Sequence, residues 1–192
     1  MDRAARDRAW RRRCVLIAVS GGGATPLQIE RYGYARRLAH FGVQGAELAR
    51  ANTTIDHYFS YLAGDIGLAA LRASYDEVRT MPWFAGLGVA QITPSESARA
   101  QWRWIPTYDP AADIANLHVP TLVMLAGSDG DTSLRDAVSG WASALARSAV
   151  HDARILICPE ADHHMGVAAG RGWRRLSSAD RSEVARFLTM QR

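Results

Sequence analysis

Three short stretches of this chain are apolar almost without interruption, and elsewhere the apolar positions recur at helical spacing. The stretches are residues 14–20 (CVLIAVS), 119–127 (VPTLVMLAG) and 153–158 (ARILIC). Runs of this length, rich in Val, Ile and Leu and punctuated by Gly and Pro, predict strands buried on both faces, as in a parallel sheet. Between the second and third, residues 133–148 form a helical pattern long enough for a parallel crossover. The first run breaks at SGGGATP, where Thr25 and Pro26 supply an N-cap and a first helical position.

From there to Pro110 no strand pattern occurs. Leu27, Tyr34, Leu38 and Phe41 mark a helix closed by Gly42, and further helical patterns run over about 44–62 and 66–78. A helical block inserted between two strands, residues 26–108, reads as a cap or lid on a sheet core made of residues 1–25 and 109–192. Tyr108-Asp109-Pro110 is a turn leading back to the core. Residues 2–10 predict a short N-terminal helix and 173–190 an amphipathic C-terminal one, with Ser177 or Ser178 as its cap.

Composition adds little to this picture but excludes several partners. At 48% hydrophobic and 22% charged residues, the 192-residue chain has the balance of a globular protein. No apolar run approaches the roughly 20 residues of a membrane span, and CVLIAVS is too short for a signal peptide. The net charge of +4 sits in residues 1–13, with six arginines against two aspartates; the other 17 arginines meet 17 acids. Every basic residue is arginine. No nucleic-acid motif accompanies the basic segment, so it reads as a solvated helix face. Cys14 and Cys158 both fall in predicted buried strands, which suggests reduced thiols and a cytoplasmic setting.

The candidate chemistry follows the second and third strands. Ser128-Asp129-Gly130-Asp131-Thr132 follows one, and Pro159-Glu160-Ala161-Asp162-His163-His164 the other. Loops at the carboxyl ends of adjacent parallel strands open on one rim, where sites in open α/β sheets gather. The tandem PTLVMLAGSDGDT and PEADHH, the helical insertion and the WRWIPTYDP segment resemble the C-terminal half of an α/β-hydrolase. The serine esterases and peptidases of the prolyl-oligopeptidase and dipeptidyl-peptidase type are the nearest resemblance, which covers most of residues 14–192. It implies a partial α/β-hydrolase fold with about three parallel strands. It implies Asp129 as the triad acid, with Asp131 the alternative, and His163 as the base. No cofactor and no metal are implied.

Histidine moves the proton of a serine nucleophile, and a buried carboxylate holds its tautomer. The order acid then histidine agrees with this fold. The chain departs from the family at the nucleophile, because it contains no G-x-S-x-G elbow. The nearest sequence is Ala18-Val19-Ser20-Gly21-Gly22, on the strand that the resemblance puts after the elbow strand. The expectation is therefore a serine-hydrolase piece whose N-terminal half, with the nucleophile, is missing.

Two other readings stay open: a complete small hydrolase using Ser20, and a non-catalytic module pairing through an exposed sheet edge. The partners expected are a small ester or peptide substrate if a nucleophile is supplied, the missing half, or a second copy. Asp162 and His164 also allow a metal reading, though nothing else converges with them. Gly21–Gly23 could form an anion nest or merely a permissive turn. A buried Cys14 would be inert. Trp83, Phe84, Trp102 and Trp104 read as the core of the helical layer before they read as a substrate pocket.

Overall fold

The computed structural model describes residues 14–88, 95–167 and 176–191. The helix expected at 2–10, with the basic segment, lies outside these residues, as do the first residues of the C-terminal helix pattern. The chain divides into two compact units, Met1–Ala24 with Pro110–Arg192, and Thr25–Asp109.

The first unit is built on a three-stranded parallel sheet in the order β1 (Leu16–Val19), β2 (Thr121–Ala126), β3 (Ala153–Cys158). Register runs Leu16 to Thr121 and Thr121 to Ala153, so all three strands start level. Every residue of β2 is buried, as its unbroken apolar run requires of a central parallel strand. Its side chains alternate between two cores. Leu122, Met124 and Ala126 pack with Cys158, Ala161, Met165 and Phe187. Val123 and Leu125 pack on the other face with Ile114, Ala137, Trp141 and Ala144. Helices α6 (Ala111–Ala115) and α7 (Leu134–Leu145) supply the second set and α8 (Ser178–Met190) supplies Phe187. Ser133 caps α7 and Ser177 caps α8 through the amides of Asp136 and Asp180.

The first strand differs from expectation. It spans four residues, begins at Leu16 and is half-buried, with Val19 52% exposed. Cys14 lies before it and is exposed. The reason is position in the sheet. Among the described residues β1 pairs with β2 alone, so one of its flanks meets no strand. Cys158, at the end of β3, is buried as expected, and its thiol is pushed up to about 12 by burial and by the neighbouring Asp180.

The glycine run after β1 is shaped by packing. Gly22 and Gly23 have φ of 74° and 78°, and the Trp141 ring lies against both. The Trp141 indole N–H donates to the Gly21 carbonyl at 2.9 Å. Gly140 faces the Gly23 carbonyl so closely that a Cβ there would enter its van der Waals envelope.

The second unit is helical among the described residues: α1 (Pro26–His40), α2 (Gly45–Ala63), α3 (Leu68–Val78), α4 (Pro82–Gly86) and α5 (Glu96–Trp102). Thr25 and Gln28 close a capping box at the start of α1, with Pro26 at its first position. The core gathers Tyr34, Leu38, Ile55, Tyr58, Phe59, Leu62, Leu71, Trp83 and Phe84. Of the aromatic residues considered as pocket lining, Trp83 and Phe84 are therefore core, and Trp102 packs against it. Trp104 remains 46% exposed. No helix among the described residues is long and apolar enough to cross a membrane.

Two measurements check this packing. Inside a helix, Gly→Ala ordinarily stabilises by about 1 kcal/mol. Gly140→Ala should instead lower stability by about 1–3 kcal/mol in urea unfolding, as overpacking does. Thiol titration of the native protein at pH 8 should show one fast-reacting cysteine, lost on Cys14→Ser, with Cys158 reacting only after unfolding.

Candidate functional site

The two loops meet because the strands before them are adjacent and because Gly127 has no side chain. A Cβ at Gly127 would sit 2.5 Å from the Pro159 carbonyl oxygen. The Gly127 N–H donates to the Cys158 carbonyl at 2.8 Å, and the Ser128 N–H to the Ala161 carbonyl at 3.0 Å. The Ser128 hydroxyl donates to the Pro159 carbonyl at 3.1 Å. These bonds carry the β2–β3 ladder past the strand ends and join one loop to the other.

Each loop is folded by its own aspartate. Asp129 Oδ1 accepts the backbone N–H groups of Asp131 and Thr132 at 2.8 and 2.9 Å. Asp162 Oδ1 accepts those of His164 and Gly166, both at 3.0 Å. Short Asp side chains often turn a loop in this way. The histidine turn closes with Met165 at φ 59°, a left-handed conformation uncommon outside glycine.

Asp129 Oδ2 lies 3.0 Å from His163 Nδ1. The Asp129 side chain is 5% exposed and that of His163 35%. A carboxylate only accepts, so Nδ1 carries the hydrogen and the neutral ring keeps its lone pair on Nε2. Among the described residues Nε2 makes no hydrogen bond. Asp129 thus receives three donors on two oxygens, which compensates an otherwise costly buried charge.

Asp131 is exposed, and its carboxylate is not hydrogen-bonded to His163. It stands close enough that Asp129, Asp131 and His163 each offer a ligand atom within 4.8 Å of the others. The Asp129 oxygens are already taken by three donors, so the set has little free coordinating capacity. Asp162 and His164 do not join it: Asp162 holds its own turn, and the exposed His164 ring stacks edge-on against His163 at 5.5 Å between centroids.

Ser20 follows β1 at the same end of the sheet, its N–H bonded to the Met124 carbonyl at 2.9 Å. It is one of two described non-glycine residues with positive φ, at 52°. Its hydroxyl is buried and, among the described residues, makes no hydrogen bond, to His163 or to any other group. Thr132 was not singled out by the sequence pattern. Its amide completes the Asp129 loop and its hydroxyl is likewise buried and unpaired. The Asp-x-x-Thr spacing is the signal that could have found it.

What this arrangement can do is polarise an imidazole for proton transfer. Comparison with known proteins gives no match: no protein-family model, no curated protein and no solved structure matches the chain.

The tautomer is directly testable. In Asp129→Asn the carbonyl oxygen stays with the two loop amides and the NH2 group turns to His163 Nδ1. The ring must then carry its hydrogen on Nε2. Long-range nitrogen–proton NMR at high pH should show His163 as the Nδ1–H form in the parent and as the Nε2–H form in the variant.

Proposed function

We propose that Asp129 and His163 are the acid and base of a serine-hydrolase relay of the α/β-hydrolase type, acting on ester or peptide bonds. In this reading His163 Nε2 takes the proton of a nucleophile and returns it to the leaving group. Asp129 holds the ring and stabilises the imidazolium. In this reading the nucleophilic serine is supplied by a strand that pairs with the flank of β1 that meets no strand among the described residues. The observation that carries the reading is the 3.0 Å contact between Asp129 Oδ2 and His163 Nδ1, with Nε2 making no hydrogen bond among the described residues. It is supported by the chain order of acid before histidine and by their position after adjacent parallel strands.

A second reading uses Ser20 as the nucleophile. It is favoured by the Ser20 backbone: a strained turn after a strand and before a helix, at φ 52°, is the posture of a nucleophile elbow. Against it stands the buried hydroxyl, which has no hydrogen bond to the base.

The two readings separate on reaction with p-nitrophenyl acetate and a fluorophosphonate probe. On the first, the isolated chain hydrolyses the activated ester slowly and loses at least about tenfold of that rate on His163→Ala, and the probe labels no serine. Stoichiometric labelling abolished by Ser20→Ala would establish the second reading. A rate indifferent to His163→Ala would remove the first.

A further inference from the structure

The helical unit contains a cavity of about 510 Å³ that the acid–histidine pair does not explain. Its volume lies in the range of small-molecule sites, which run from roughly 300 to 1,000 Å³. One wall is the end of α2, Leu62 and Ala63; the other is a stripe along α5 and the turn after it, Glu96, Arg99, Ala100, Arg103, Trp104 and Thr107. Those positions fall at helical spacing and share a face.

The two arginines play different parts. Arg99 is held in place. Its guanidinium lies 5.6 Å from the centre of the Tyr61 ring, and Glu96 pairs with it at 3.7 Å. It occupies the space over Gly64, where an added Cβ would collide with Nη2. Glu96 is thereby committed to Arg99, and the lining keeps one net positive charge. Arg103 carries that charge in usable form. Among the described residues its guanidinium makes no hydrogen bond or ion pair.

Next to it the Trp104 indole is 46% exposed, an unusual outlay of apolar surface for a tryptophan. Leu62, Ala63 and Ala100 add apolar lining, and among the described residues the Thr107 hydroxyl makes only long bonds of 3.3 and 3.4 Å to its own helical turn. A planar fork of free donors beside an exposed flat ring is complementary to a planar anion.

We propose that this cavity binds a small organic anion, a carboxylate carried on a flat apolar body. The carboxylate takes the fork of Arg103, and the ring lies on Trp104. The proposal does not depend on the relay reading, since every residue named here belongs to Thr25–Asp109.

The test uses naphthalene-2-carboxylate and its neutral carboxamide, titrated by calorimetry against the full chain. The carboxylate should bind with a sub-millimolar Kd, and the carboxamide about tenfold or more weakly, as loss of a charge-assisted contact implies. Arg103→Gln and Trp104→Ala should each weaken carboxylate binding about tenfold, Arg103→Lys less. Arg79→Gln, on an exposed residue outside the cavity, should leave it unchanged, with circular dichroism and melting equal in all four variants. Absence of carboxylate binding at millimolar concentration would overturn the proposal, as would equal affinity for the two compounds or indifference to Arg103→Gln.

Discussion

Close approach of two loop backbones at Gly127 and Pro159 is the constraint on which the candidate site depends. Parallel pairing brings β2 and β3 side by side, but parallel strands alone only deliver their loops to the same rim. The missing side chain at Gly127 lets the chain after β2 run against Pro159, and the bonds from Gly127 and Ser128 to Cys158, Ala161 and Pro159 fix the separation. With that separation set, Asp129 and His163 meet at 3.0 Å although 34 positions divide them.

The pair is held by two loops of similar construction. In each, an aspartate oxygen gathers two backbone N–H groups that would otherwise lack partners at a strand end. Asp129 does this with one oxygen and holds the imidazole with the other. One side chain therefore both folds its loop and holds the histidine. Charged hydrogen bonds contribute about 1.5–3 kcal/mol each. The same carboxylate thus stabilises the fold locally and determines which ring nitrogen is left free.

Glycine does comparable work behind the site. The turn from β1 passes under Trp141, and Gly23 and Gly140 let it lie against α7. The glycine run that a sequence reader could assign to an anion nest has its carbonyl at Gly21 and its faces at Gly22 and Gly23 occupied by that tryptophan. In the helical unit Gly64 plays the equivalent part for Arg99. At these positions the side chain that is absent decides which neighbour can approach.

The strands, the crossover helix, the helical block and the Thr25–Pro26 cap were all legible in the sequence, because burial and capping leave local patterns of residue type. So was the placing of an acid and a histidine at one rim, since loops after adjacent parallel strands must share it. Tertiary structure decided the rest. It selected Asp129 over Asp131 as the partner of His163, since the loop turns on Asp129 Oδ1 and sends Oδ2 inward. It exposed Cys14, which lies before the first residue of β1, because an apolar run does not reveal where along it the strand begins. It separated the four aromatic residues of the helical block, burying Trp83 and Phe84 and leaving Trp104 in the open. Residue type sets what a side chain can do; only the packing of distant segments settles which neighbours it meets.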